Sequence, residues 1–132
     1  MERLILDTSV LVAGERSAGA LDAVIADEDD VVIAAITAAE LLAGVELAEG
    51  KVANRRRAFV EHVLSTIPIE PYDLPVARTH ASLLAHARRS GRPRGAHDLL
   101  IAATGLTHGR AVVTTDPSGF QDLPGVDYRP LT

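Results

Sequence analysis

Near its start the chain runs Leu4-Ile5-Leu6 straight into Asp7-Thr8-Ser9. An apolar triplet without polar alternation reads as a strand buried on both faces, and such strands belong to parallel sheets covered by helices. The pattern returns in Val31-Val32-Ile33-Ala34-Ala35-Ile36 and in Ala111-Val112-Val113-Thr114-Thr115, with helix-period sequence between them. Buried strands alternating with helices predict an α/β fold around an open sheet. In such a sheet the ligand crevice forms at the carboxyl ends of the strands, so the residues that end each strand are the place to look for chemistry.

Between the strands, residues 9–15 and 17–27 read as helices, the second on the i, i+3, i+4 spacing of Leu21, Val24 and Ile25. Asp27-Glu28-Asp29-Asp30 breaks that pattern and is expected to be a solvated loop, since four adjacent acids do not all aim at one point. Residues 51–66 predict an amphipathic helix with Val52, Phe59, Val60, Val63 and Leu64 as its apolar stripe. On its other faces Arg55-Arg56-Arg57 reads as solvated surface, with an RNA or partner contact as the alternative. Ile67-Pro68-Ile69-Glu70-Pro71 suits an edge strand. Asp73 then caps a helix over 75–90 that Ser90-Gly91 stops. A basic loop, Arg92-Pro93-Arg94-Gly95-Ala96-His97, leads into a helix over 98–104 that is apolar nearly all round and closes at His108-Gly109. His97 reads as a neighbour of any site there rather than a ligand, because adjacent helical side chains diverge. Val126-Asp127-Tyr128-Arg129 would be a last short strand.

With 132 residues, 47% of them hydrophobic, the chain has the size and composition of one domain spanning 1–132. It contains no cysteine, so a metal site would be built from oxygen and histidine, and the natural partner of oxygen ligands is a hard cation. The net charge of −5 argues against a passive nucleic-acid binder held by bulk electrostatics. An enzyme with an acidic, metal-neutralised site and local arginines stays open, and twelve of the thirteen basic residues are arginine, which suits bidentate phosphate contact. Glu2, Asp7 and Glu15 interrupt the only signal-peptide-like stretch, and no run reaches the ~18 apolar residues of a membrane span. A cytoplasmic protein without membrane contact is expected.

Four acids carry the functional reading. Asp7 follows the first strand, Glu40 comes just after the second, Asp98 heads the most apolar helix and Asp116 follows the strand at 111–115. Each has an ordinary structural role open to it. Asp7, or Ser9 in its place, is an N-cap; Thr37 and Glu40 have capping-box spacing; Asp98 complements a helix dipole for about 0.3–1 kcal/mol; Asp116-Pro117 is turn chemistry. Those roles leave the common address unexplained: with a parallel sheet and right-handed crossovers, all four fall along one edge. Four carboxylates so placed repel and raise one another's pKa, a cost removed when Mg2+ or Mn2+ sits among them. A hard ion in an oxygen site fits phosphodiester hydrolysis, because it acidifies water and offsets the charge growing on phosphate.

The ordered set Leu6-Asp7-Thr8-Ser9, Thr37-x-x-Glu40-Leu41, Gly95-x-x-Asp98-Leu99-x-Ile101-Ala102-Ala103 and Thr114-x-Asp116-x-x-Gly119-Phe120 resembles the PIN-domain family. Length and the Arg-x-Gly-Arg-Pro stretch at residues 89–93 make the chain most similar to the ribonuclease toxins of bacterial VapBC toxin–antitoxin pairs. The resemblance implies a three-layer α/β/α fold with a central, mostly parallel sheet of four to five strands. It implies a Mg2+- or Mn2+-dependent endoribonuclease with Asp7, Glu40, Asp98 and Asp116 as catalytic and metal-binding acids and Thr8, Ser9 and Thr114 as supporting hydroxyls. It further implies a homodimer and a cognate antitoxin whose tail occupies the active-site groove.

Two departures from the family pattern stand out. The last motif has Gly119 where the family often has an acid before the phenylalanine, which favours one resting metal over two. The basic loop carries Arg94 where an apolar residue is common, and Arg92 and Arg94 are expected to contact substrate phosphate or the antitoxin. Two other readings compete. A phosphatase or phospho-receiver needs a second acid two residues after Asp7 or a paired acid and lysine, which Ser9 and the lone Lys51 do not supply. A catalytically inactive PIN-fold binding or regulatory module would keep the fold and lose the metal.

Overall fold

The computed structural model of the chain describes residues 1–17 and 28–131. Its centre is β1 (Arg3–Leu6), flanked by β2 (Asp30–Ala34) and β4 (Ala111–Thr114). Edge strands β3 (Ile69–Glu70) and β5 (Tyr128–Pro130) complete a five-stranded sheet in the order β3-β2-β1-β4-β5, parallel at every pairing. The alternation of side chains along each strand feeds two cores. Ile5, Val32 and Val112 point to one face, where Leu83 of α4 (Leu74–Ser90) and Leu99 and Ile101 of α5 (Ala96–Thr107) cover them. Leu4, Leu6, Ile33 and Val113 point to the other. That face is covered by α1 (Thr8–Arg16), α2 (Ala35–Leu47) and α3 (Gly50–Thr66) through Leu11, Leu41, Val45, Val60 and Val63. This is the expected three-layer α/β/α arrangement, and fully burying one such Leu, Ile or Val contributes about 1.5–3 kcal/mol.

The helix boundaries follow local chemistry where the sequence states it. Asp73 accepts the Val76 N–H at the head of α4, and Gly91 ends the helix at φ 67°, a left-handed conformation that glycine adopts without strain. Gly105 has a different use. A Cβ there would stand 3.0 Å from Ile5 Cγ2 and 3.3 Å from the Arg110 carbonyl, so its absence lets α5 lie close against β1.

Several expected boundaries shift. The second strand ends at Ala34, and Ala35-Ile36 already belong to α2. Helix α5 starts at Ala96, two residues before Asp98; β4 stops at Thr114, and the last strand is Tyr128–Pro130. In the α3 stripe Val52 is exposed and Ala53 is buried in its place. The acidic run is not simply solvated: Asp29 accepts the Glu2 N–H (2.9 Å), and Asp30 opens β2 opposite Arg3. Asp30 also pairs with the buried Arg110 guanidinium at 2.9 Å. Nor is the triple arginine wholly solvated, because Arg56 pairs with Glu15 at 3.2 Å and joins α3 to α1. Asp27 and the helix expected over 17–27, apart from Ser17, which ends α1, lie outside the described residues. Among the described residues no helix is long and apolar enough to cross a membrane.

Candidate acidic active site

Because every strand pairing is parallel, the carboxyl ends of β1, β2 and β4 open on one edge, and α5 begins there too. Asp7, Glu40, Asp98 and Asp116 line one groove of about 630 Å3 at that edge, together with Thr8, Ser9, Val12, Arg16 and Thr115.

Asp7 occupies the N-cap position of α1, yet its side chain caps no helix N–H. Its Oδ2 instead accepts hydrogen bonds from Ser9 Oγ and Thr114 Oγ1, both at 2.8 Å. Only 7% of Asp7 is exposed, so these hydroxyls replace most of the water that a carboxylate requires. Ser9 also accepts the Thr115 N–H (3.1 Å), and Thr114 accepts the Asp116 N–H (3.0 Å), which ties the ends of β1 and β4 together. Thr114→Val keeps the shape and deletes a wholly buried hydroxyl. It is expected to destabilise the protein by about 1–3 kcal/mol, read as a lower urea midpoint with an unchanged slope.

The capping-box expectation for Thr37 and Glu40 is not met: Ala34 is the N-cap of α2, and no side chain caps this helix. With the helix starting earlier, Thr37 falls in its first turn and is buried, its hydroxyl 3.3 Å from that of Thr8. Glu40 moves into the second turn and turns to the groove. Thr8 Oγ1 donates to Glu40 Oε1 (2.7 Å), and His97 Nδ1 lies 2.9 Å from Oε2. His97 is thus a neighbour of the acids, as its place beside Asp98 suggested.

Asp98 lies in the first turn of α5, whose N-cap, Gly95, supplies no side chain. Burial raises the pKa of Asp98, the negative charges of Asp7, Asp116 and Glu40 raise it further, and His97 opposes them. Two glycines make room for its carboxylate. A Cβ on Gly119 would stand 2.4 Å from Asp98 Oδ2, and one on Gly95 would stand 3.1 Å away. A carboxylate whose folded pKa is raised binds more protons folded than unfolded. Its stabilising share is therefore complete below the ordinary carboxylate range and is lost as pH rises through the raised value. Metal-free protein is expected to lose stability across that acid window to a smaller extent when Asp98 is Asn, as measured by urea unfolding at a series of pH values.

For Asp116 the turn role holds in part. Its Oδ1 accepts from the Ser118 N–H (3.2 Å) and hydroxyl (2.6 Å) at the start of a 3-10 turn over Pro117–Gly119. Its position beside the other acids is additional to that role.

The donor chemistry suits a hard divalent ion. Among the described residues, Asp7 Oδ1, both Asp98 oxygens and Asp116 Oδ2 accept no hydrogen bond, whereas both oxygens of Glu40 are engaged. Asp7, Asp98 and Asp116 therefore keep lone pairs for a cation. Among the described residues no three Asp, Glu or His side chains stand close enough together to hold an ion as placed, so a shared cation would require these carboxylates to draw together.

Arg92 and Arg94 lie outside this groove, engaged within the chain. Arg92 pairs with Asp122, and Arg94 donates to the Arg92 carbonyl (3.0 Å) and the Gln121 carbonyl (2.7 Å). They fasten the loop before α5 to the turn after β4. Sequence reasoning missed this, along with the places of Arg16 on the groove and of Gly119 against Asp98. An i, i+3 spacing signals local partners only, and these partners are distant in sequence.

A fully parallel sheet between helical layers, with acids set around a groove at its carboxyl edge, defines an α/β protein suited to hold a hard cation. The family model described as "PIN domain" matches residues 4–126, and the chain belongs to the PIN-domain family. It is 32% identical over 127 residues to ribonuclease VapC1 of Rickettsia felis, covering 94% of this chain and 92% of that one. The solved structure of VapBC-5 from Mycobacterium tuberculosis is 30% identical, with TM-score 0.81 and 98% and 99% of the two chains covered. VapBC2 from Rickettsia felis, solved bound to a promoter DNA fragment, shares the fold at TM-score 0.88 and 20% identity, with 98% and 99% covered.

Proposed function

We propose that this chain is a metal-dependent endoribonuclease, the toxin of a type II toxin–antitoxin pair. The observation that carries the reading is the Asp98 carboxylate, without a hydrogen bond among the described residues and raised in pKa by burial and by three other acids on one groove. Kinship with chains named VapC ribonuclease supplies the substrate class.

Asp7, Asp98 and Asp116 would hold Mg2+ or Mn2+, one ion at rest. Bound there, the ion supplies Lewis acidity and offsets charge on the phosphate. The chain's own residues supply position. Ser9 and Thr114 fix the Asp7 carboxylate, and Thr8 and His97 fix Glu40. An acid held on both oxygens is well placed to orient a water for in-line attack on phosphorus. The new P–O bond forms as the bond to the leaving ribose oxygen breaks, the water's proton passing to one of the four acids and the leaving oxygen taking a proton from solvent.

The partner in this reading is a cognate antitoxin, as in the VapBC neighbours, with its tail in the groove. A homodimer acting in the cytoplasm belongs to the same proposal, and the exposed Leu47, Tyr72 and Leu74 leave apolar surface for protein contact. Arg92, with more than half of its side chain exposed, remains open to substrate or antitoxin, while Arg94 acts through the loop it fastens. Incubating purified protein with pooled tRNA and rRNA tests the activity. Discrete fragments that require Mg2+ or Mn2+ and disappear with chelator are expected; metal-independent cleavage, or none by a folded protein, would overturn the reading.

A further inference from the structure

We propose that an RNA strand leaves the acidic groove over Arg16 and continues along α3 past Arg55, with these two guanidiniums holding phosphates beside the cleaved one. The inference rests on the ribonuclease reading and adds a substrate path to it. A groove lined by four carboxylates repels a polyanion, and an ion among them offsets that repulsion only locally. Binding a strand therefore calls for cations along the route.

Arg16 meets that need. It lines the acidic groove itself and ends α1, eight residues and roughly 12 Å along the helix from Thr8. It is exposed and has no hydrogen bond or ion pair among the described residues, so its charge is uncommitted. Arg16 also lines two adjoining hollows. The first, of about 190 Å3, runs between α1 and α2 past Glu40 and Arg56. The second, of about 390 Å3, lies against α3 and is lined by Glu15, Val52, Arg55, Arg56 and Phe59.

Arg16 borders all three hollows, so they lie side by side around its side chain. Glu15, the acid lining the second hollow, is paired with Arg56, which leaves Arg16 and Arg55 as the charges of that lining without an ion pair among the described residues. Arg55 is likewise exposed and without a hydrogen bond or ion pair among the described residues. The partly buried Phe59 offers a ring edge or face for a base in the last hollow.

The test is steady-state, metal-dependent cleavage of an oligoribonucleotide by the wild type, Arg16→Ala, Arg55→Ala and the double variant across a salt series. Neither side chain holds the fold together, and thermal melts verify that. The expected result is a KM raised roughly 3–10-fold per variant with kcat kept, and a salt slope reduced by about 0.7 for each phosphate no longer neutralised. A substrate shortened by the nucleotides that would reach α3 is expected to lose its sensitivity to Arg55→Ala and to keep its sensitivity to Arg16→Ala. Wild-type cleavage with unchanged KM and salt slope in the variants would overturn the path and leave the nuclease standing. The same result combined with weakened antitoxin binding would overturn it in favour of a protein-binding wall. No wild-type cleavage would remove the ribonuclease reading and this path with it.

Discussion

Asp98→Asn is expected to abolish metal-dependent RNA cleavage, by at least about 10²-fold in kcat/KM, while raising the melting temperature of the metal-free protein. Both effects have one origin. In the folded chain Asp98 is partly stripped of water beside three other acids, and among the described residues it has no hydrogen-bond donor to compensate it. Amide substitution removes the charge and keeps the shape, so the repulsion is relieved. Solvent still reaches the group, which limits the gain to no more than about 1 kcal/mol, or a few degrees in Tm. A residue whose neutralisation stabilises the protein and silences the enzyme is held for function; a structural acid would show the opposite sign.

Gly119→Ala is the second large effect. The added Cβ would meet Asp98 Oδ2 at 2.4 Å and Cγ at 2.9 Å. Phe120 is buried beside it, so the backbone is held and the Asp98 side chain must swing away. A displacement on the order of 1 Å at a reacting centre costs roughly 10–100-fold in rate. Stability should change by less than about 1 kcal/mol, because a partly exposed side chain yields at low cost. Gly119→Asp, which would place an acid before the phenylalanine as related motifs often do, should fare no better in this chain. Parallel measurement of kcat/KM and Tm checks both variants; full activity in either would show that Asp98 has room the structure does not display.

The layered fold was legible because three apolar runs lack alternation, and only a sheet covered on both faces buries such strands. The element boundaries were less so. Ala35-Ile36 are as acceptable in a strand as in a helix, and the choice is made by where β2 runs out of partners: its pairing with β3, at Ile33 and Ala34, goes no further than Ala34. That shift of two residues undoes the capping box, burying Thr37 against Thr8 and turning Glu40 to the groove.

The candidate acids were visible as strand-end residues, each with a local excuse, and the structure separates the cases. Asp7 and Glu40 cap nothing, Asp98 bonds nothing among the described residues, and Asp116 does serve its turn. What the sequence withheld were pairings across long separations, such as Arg56 with Glu15 and Gly119 against Asp98. No spacing rule reports those, since they exist only once the layers have packed.

If these acids form a single divalent-metal centre, calorimetric titration of Mn2+ into the metal-free protein will show it most directly. The titration is repeated on Asp98→Asn, with a thermal melt at each endpoint. One ion per wild-type chain is predicted, with a Tm that climbs as metal saturates, the stabilisation reaching about 2.7 kcal/mol at a hundred times Kd. Asp98→Asn should bind far more weakly and show little metal-dependent shift. Wild-type protein that binds no ion, or an Asp98→Asn variant that binds as well as the wild type, would contradict a metal centre built on these acids and point to a PIN fold serving as a binding module.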